Sequence, residues 1–422
     1  MPSMSSLLIH SVYKDSEIVD VLIQNGIFKK ISTHIPLNSL DTDTKIVDAS
    51  QKAILPAFYN AHTHAAMTLL RGYADDMSLF KWLHEYIWVQ ESKLQKEDIY
   101  WASRLAILEM IHSGTVFFAD MYWHREETIR AVIESGVKAT IGVTFAENLM
   151  DKNAIEKNFD FLKEMKSVHP RIKLAVMPHS IYAVESDLWK RCAREARNLG
   201  LVLHSHISET KEEVETCLKK TGLRPVEYLE SLGVLDENVV LAHAVHLNEK
   251  EIQILKKRKV SLVHCPVSNM KLSSGKLNVK ALQKAQISVA LGTDGAASNN
   301  NLDMLEEMKI AALLAKTEGD PEVLNAKEAF SMASLAGAKA YQWNAGEIKE
   351  TQDADAILVD LNNERMLPMH HLHSNWVYSA DSRAIHQVIC NGKPLIENKK
   401  VKDEDLILEN IRRVHHDLKN RH

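Results

Sequence analysis

The stretch Ala53-Ile54-Leu55-Pro56-Ala57-Phe58-Tyr59-Asn60-Ala61-His62-Thr63-His64-Ala65-Ala66-Met67 decides the fold. Ala53 to Phe58 is a short apolar run that reads as a buried strand. Side chains alternate along a strand, so His62 and His64, one residue apart at its end, point the same way. Two neutral imidazoles held together offer two ligands to one divalent cation. The pair alone is weak evidence, because His-x-His also arises by chance. What decides is whether the chain supplies further ligands where a fold brings them to the same point.

From about residue 53 to 345, short apolar runs alternate with longer stretches of helical spacing. The runs are 53–58, 114–119, 139–145, 172–177, 200–204, 239–242, 260–263 and 287–291. Stretches such as 100–112, 154–166, 187–198, 210–220 and 278–284 separate them. Eight strands alternating with helices predict an α/β fold, a (β/α)8 barrel of the TIM type. A doubly wound open sheet is the alternative. No Gly-x-Gly-x-x-Gly follows any of the runs, which argues against its dinucleotide-binding form. Outside this region the chain reads as strands, with Asn25-Gly26 and Asn391-Gly392 as hairpin turns. Runs 356–361, 376–379, 384–390 and 394–396 belong to this second pattern, and 403–422 reads as a charged amphipathic helix. The expected organisation is a small β-sandwich-like domain built from both chain ends, 1–57 plus 346–422. It flanks a catalytic barrel over 58–345.

The composition excludes several classes. Of 422 residues 45% are hydrophobic, enough for one large core, and the net charge of −5 provides no attraction for nucleic acid or an anionic membrane. The four cysteines are scattered without a Cys-x-x-Cys, which fits a reducing, cytoplasmic setting. No signal-peptide core and no run of transmembrane length is present.

In a barrel of this kind functional side chains gather at the carboxyl ends of the strands. The first run ends in His62 and His64, the fourth in His179, and the fifth in His204-Ser-His206-Ile-Ser-Glu209. The sixth ends in His243-Ala-Val-His246, the seventh in His264, and the eighth in Gly292-Thr-Asp294-Gly. Each has an ordinary reading alone. Asp294 suits a turn, Glu209 a helix start, and a single His after a strand is more often a core or surface residue. Together, His62, His64, His206 and Asp294 would converge on one mouth. Three imidazoles and a carboxylate suit a catalytic divalent metal with one position open for water. His204, His246, His370, His371 and His373 are assigned no role.

The segments Asn60-Ala-His-Thr-His64-Ala-Ala-Met-Thr-Leu-Leu-Arg-Gly-Tyr-Ala-Asp-Asp76, His206-Ile-Ser-Glu209, Ala242-His243-Ala-Val-His246, Pro266-Val-Ser-Asn-Met-Lys-Leu272 and Gly292-Thr-Asp294-Gly resemble the amidohydrolase superfamily. Within it the likeness is to deaminases of methylthioadenosine and S-adenosylhomocysteine, and to triazine chlorohydrolases. The resemblance covers nearly the whole chain. It implies one zinc or iron ion per chain on His62, His64, His206 and Asp294. It further implies Glu209 as proton shuttle and His243 as the residue steering the attacking water. His179 would contact the heterocycle, and Glu91 would hold ribose hydroxyls. The chemistry is coherent: a bound divalent cation lowers the pKa of water toward about 7. Glu209 can protonate a ring nitrogen as water adds to the carbon bearing the amine, and Asp294 can take the water proton and pass it to the departing ammonia.

Two features refine the expectation. Binuclear relatives carry a modified lysine after the fourth strand, where this chain has His179, which favours one metal. Relatives acting on S-adenosylhomocysteine use arginine after the third strand, whereas residues 147–161 hold only Lys152 and Lys157 as basic residues. The expected reaction is therefore hydrolytic deamination of an adenosine-like nucleoside with a modified 5′ position. Deamination or dechlorination of a pterin, guanine or triazine is the alternative, and a non-catalytic scaffold barrel the reading from another class. The expected partner is a small molecule, with no nucleic acid or membrane, and a homo-oligomer is left open.

Overall fold

The computed structural model describes residues 6–165, 168–317 and 319–421. Residues 1–5 and His422, counted in the expected small domain, lie outside the described residues, as does Lys166 of the expected helix over 154–166.

The chain opens with five strands: β1 (Leu7–Lys14), β2 (Glu17–Gln24), β3 (Ile27–Ser32), β4 (Lys45–Asp48) and β5 (Lys52–Pro56). Eight parallel strands follow, β6 (Phe58–Thr63), β7 (Thr115–Asp120), β8 (Lys138–Phe145), β9 (Ile172–Pro178), β10 (Val202–Ile207), β11 (Val239–His243), β12 (Ser261–His264) and β13 (Val289–Leu291). They neighbour one another in sequence order, each crossover carrying helix, as expected of the barrel. The seam between β13 and β6 is drawn together by the Asp294 N–H donating to the His62 carbonyl at 3.0 Å. Asn60 adds the Thr293 N–H at 3.0 Å and the Thr293 hydroxyl at 2.7 Å. Gly292 is required at this seam: a Cβ there would lie 2.8 Å from the His62 nitrogen.

The last strands are β14 (Ala356–Asp360), β15 (Ile385–Cys390), β16 (Lys393–Pro394), β17 (Ile396–Glu397) and β18 (Lys400–Val401). Strands from both ends interleave in one eight-stranded sheet, ordered β16-β15-β14-β5-β1-β2-β3 with β4 on β1. β17 and β18 form a separate hairpin. Asn25-Gly26 and Asn391-Gly392 turn as their chemistry dictates, each residue with positive φ.

Two expected strands are corrected. The run 53–58 is not the first barrel strand. Its first part, β5, pairs antiparallel with β14, Leu55 opposite Ile357, in the composite sheet. The barrel strand starts at Phe58, whose N–H donates to the Gly114 carbonyl. An unbroken apolar run carries no mark of which of two buried sheets it serves. The run 376–379 is not a strand either: it ends the helix Leu372–Tyr378, which buries Leu372 and Trp376 four residues apart. The fifth barrel strand begins two residues later than expected and runs on to Ile207, because Gly200 is the left-handed cap of the preceding helix.

The C-terminal helix Glu404–Lys419 leaves the composite sheet and packs on the barrel helix Lys96–His112. Val414 and Leu418 are buried with Ile99 and Ala102, and Arg421 pairs with the buried Asp98. No described helix is long and apolar enough to cross a membrane.

Candidate active site

His62 stands inside β6 and His64 one residue past it, so the period of two aims both at the barrel axis. His206 is the penultimate residue of β10, and Asp294 lies three residues beyond β13. Asp294 Oδ1 sits 3.4 Å from His62 Nε2 and 3.3 Å from His64 Nε2, while His206 Nε2 is 3.3 Å from His64 Nε2. Those spacings match the edges of a tetrahedron whose bonds are about 2.1 Å. His62 Nε2 is buried without a hydrogen-bond partner, as a ligand atom would be. The donor set and its spacing fit a divalent metal. His243 also lies within ligand distance of His62 and His206.

Each imidazole is aimed through its other nitrogen. His64 Nδ1 donates to the Met121 carbonyl and His206 Nδ1 to the His179 carbonyl, both at 2.6 Å. In a neutral ring these bonds leave a lone pair on Nε2; against burial, the Asp294 carboxylate holds His64 up to about 9, so a cation binding there would displace its Nε2 proton. His62 Nδ1 meets His204 Nε2 at 2.8 Å, His204 Nδ1 lies 3.2 Å from the Tyr341 hydroxyl, and that hydroxyl donates to the Ala61 carbonyl at 2.7 Å. Only one assignment of protons satisfies the chain: His62 donates to His204, His204 to Tyr341, Tyr341 to Ala61. Asp294 turns its second oxygen, Oδ2, to the hydroxyls of Ser268 at 2.6 Å and Ser298 at 3.0 Å. His243 Nδ1 meets Asn269 Oδ1 at 2.8 Å.

Burial sets the protonation states. It pushes His62 down to about 4 and His179 to about 3, and holds His206 well below the usual range. All three rings are therefore neutral. Burial would raise Asp294, but the imidazoles of His62 and His64 hold its carboxyl well below the ordinary range. Burial raises the Glu209 carboxyl, which favours the proton-carrying form. Glu209 Oε1 accepts from the Ser274 hydroxyl at 3.1 Å, and Oε2 lies 3.8 Å from His243 Nε2.

One pocket joins this cluster to the remaining candidates. His64, His179, His206, Glu209, His243 and Asp294 line its floor, and Glu91 lies further along its wall. Glu91 Oε2 accepts from Trp123 Nε1 at 3.3 Å, and the Tyr122 hydroxyl faces the same carboxylate, which burial raises and these two donors pull down. Trp82, Trp88 and Tyr182 supply aromatic wall, and among the described residues no lysine or arginine lines it. Lys152 and Lys157 are exposed on the helix Lys152–Glu164. The His246 ring is tied to the loop carbonyl of Ser274 at 2.6 Å, and His373 packs by Phe330 away from the mouth.

Sequence reasoning missed His204, Ser268, Asn269 and Tyr341. His204 shares strand parity with His206, which was a usable signal. Ser268 and Asn269 lie in the quoted Pro266–Leu272 segment, where nothing local marks what they touch.

A family model described as the amidohydrolase family matches residues 53–395. The chain belongs to the amidohydrolase family. Members are metal-dependent hydrolases, and this one is a hydrolase acting on C–N bonds. It is 43% identical over 364 residues to the 5-methylthioadenosine/S-adenosylhomocysteine deaminase 1 of Archaeoglobus fulgidus, covering 85% of this chain and 86% of that protein. It is 40% identical over 404 residues to the 5′-deoxyadenosine deaminase of Methanospirillum hungatei, covering 94% and 90%. Among solved structures, a zinc-bound adenosine deaminase of Xanthomonas campestris superposes with TM-score 0.92 at 30% identity, covering 99% of each chain. A zinc-bound atrazine chlorohydrolase of Arthrobacter aurescens, at 21% identity and TM-score 0.88 over 97% of this chain and all of that one, shares the fold.

Proposed function

We propose that this amidohydrolase deaminates an adenosine-like nucleoside bearing a small apolar 5′ substituent, such as methylthioadenosine or 5′-deoxyadenosine. The products are ammonia and the inosine analogue. His62, His64, His206 and Asp294 hold one divalent ion per chain, zinc before iron. When bound there, that ion makes a water molecule acidic enough to react near neutral pH.

The observation that carries the reading is the placement of Glu209. It is buried in the same pocket as the ligand cluster, beside His243, with burial favouring its protonated form. A carboxylic acid so placed can protonate a ring nitrogen while water adds to the neighbouring carbon. His243, fixed by Asn269, orients that water, and Asp294, steadied by Ser268 and Ser298, takes its proton for the leaving ammonia. His179 contacts the heterocycle. Glu91, whose carboxylate lines the same pocket, accepts a ribose hydroxyl. The names of the similar deaminases support an adenosine-like substrate. A pocket walled by Trp82, Trp88 and Tyr182, with no lysine or arginine among its described lining, favours an apolar 5′ group over an amino-acid tail.

The test is ammonia release by the metal-loaded protein from methylthioadenosine, 5′-deoxyadenosine, adenosine, S-adenosylhomocysteine, guanine, pterins and triazines. The expected order of kcat/KM puts the apolar 5′ nucleosides first and S-adenosylhomocysteine well below them. Faster turnover of a pterin, guanine or triazine overturns the substrate class. Equal or better kcat/KM for S-adenosylhomocysteine overturns the 5′ preference.

A further inference from the structure

Thr210-Lys-Glu-Glu213 opens the helix Lys211–Thr221 and reads as a capping box, in which the Glu213 side chain would return to the Thr210 N–H. One half of the box forms: Thr210 Oγ1 accepts the Glu213 N–H at 3.1 Å. The carboxylate does something else. It reaches past the cap, Oε1 accepting the Ser208 N–H at 2.8 Å and Oε2 the Glu209 N–H at 2.7 Å. Both oxygens are thus spent on two consecutive amides of the segment that leads from His206 to Glu209. Glu213 is only 2% exposed.

That segment needs holding. Ser208 is left-handed, φ 48°, a conformation that a residue with a Cβ adopts only under constraint. The bend it makes brings Glu209 under Ser274 and toward His243. The Ser208 carbonyl accepts the His246 N–H at 3.0 Å, so the turn is gripped from both sides. Among the described residues no lysine or arginine pairs with Glu213. The ionisable groups that face it are Glu209, His243 on β11, Tyr182 after β9 and Cys217 on its own helix. Burial pushes its carboxyl up to about 7, against the pull of the two amide bonds. A solvent-facing cap would close the helix without that cost.

We propose that Glu213 is a positioning residue: its carboxylate grips the Ser208 and Glu209 amides and sets the place from which Glu209 delivers its proton. The proposal rests on the reading of Glu209 as the proton donor. Glu213→Gln keeps the shape but turns one acceptor into a donor facing an N–H. The expected result is a fall in kcat on the order of 10–100-fold, with metal content and KM unchanged. Glu213→Asp keeps the charge but is too short to span both amides, so a smaller fall is expected, and it serves if the glutamine variant does not fold. The deciding measurement is the double variant: in a Glu209→Gln background, Glu213→Gln should cost no further rate, because it acts through Glu209. Parental kcat in both Glu213 variants, or a full additional loss in the double variant, overturns the positioning role and leaves Glu209 standing. Near-parental kcat in Glu209→Gln alone overturns the proton-donor reading, and this proposal with it.

Discussion

At the residue scale, each imidazole of the His62, His64 and His206 cluster is aimed by what its second nitrogen touches, and that makes substitutions separable. His206→Ala removes one of three imidazoles and the ring donor to the His179 carbonyl, which keeps the His206 N–H and the Ser205 hydroxyl. The expected outcome is loss of both the metal and activity, read by elemental analysis beside turnover; a metal-free preparation with full activity would refute the ligand set. Glu209→Gln separates chemistry from binding. The metal stays, nucleoside still binds, and kcat falls on the order of 10²–10⁴-fold because the amide delivers no proton. Glu91→Gln should behave differently, weakening nucleosides while sparing a free base such as adenine. Measuring both variants against both substrates resolves the two roles, and a Glu91→Gln enzyme with unaltered nucleoside kinetics moves the sugar elsewhere.

At the element scale, the helix Met304–Lys316 is capped by Asp303, whose carboxylate accepts the Leu305 N–H at 2.8 Å. Burial raises the Asp303 carboxyl from 3.8 to about 6. The folded state therefore prefers it protonated. Its contribution to stability is complete below the ordinary carboxyl range and is lost as pH rises through about 6. Relative to Asp303→Asn, which does not titrate, the parent's urea midpoint should fall between pH 4 and pH 7; a constant difference would show that Asp303 titrates normally. Elements also show what local patterns conceal. A single residue, Ala57, separates β5 in one sheet from β6 in the other. Apolarity alone marks neither strand's partner. The helix Leu372–Tyr378 is one short amphipathic pair of turns, and a four-residue window over its end fits a strand equally well.

At the scale of the whole molecule, the barrel and the composite sheet are joined by a buried charge. Lys138 at the start of β8 donates to Asp353 and Asp355 at 2.7 Å each, and Lys138 and Asp355 are both fully buried. Tyr59 of β6 donates to the same Asp355 carboxylate, and the Asn391 N–H to its other oxygen at 2.7 Å. Lys138→Ala would strand the Asp355 carboxylate between two sheets. The expected cost is about 3–5 kcal/mol, measured by urea denaturation. A loss under about 1 kcal/mol would show that the junction relaxes or admits water.

The barrel, the composite sheet and the convergence of His62, His64, His206 and Asp294 were legible because they follow from short-range regularities. Period two along a strand, period 3.6 along a helix and Asn-Gly turns are properties of neighbouring residues, and parallel strands all end on one face. The roles of Glu209, His243, His179 and Glu91 came from likeness to a family, and spacing alone did not assign them. The supports of the site were beyond either. His204 reaches His62 across 142 residues, and Ser268 and Asn269 each cross 26 to orient Asp294 and His243. Glu213 has the spacing of a helix cap and serves the adjacent turn instead. Such choices depend on which buried donor lacks an acceptor once the strands have closed, and that quantity exists only when the chain is packed.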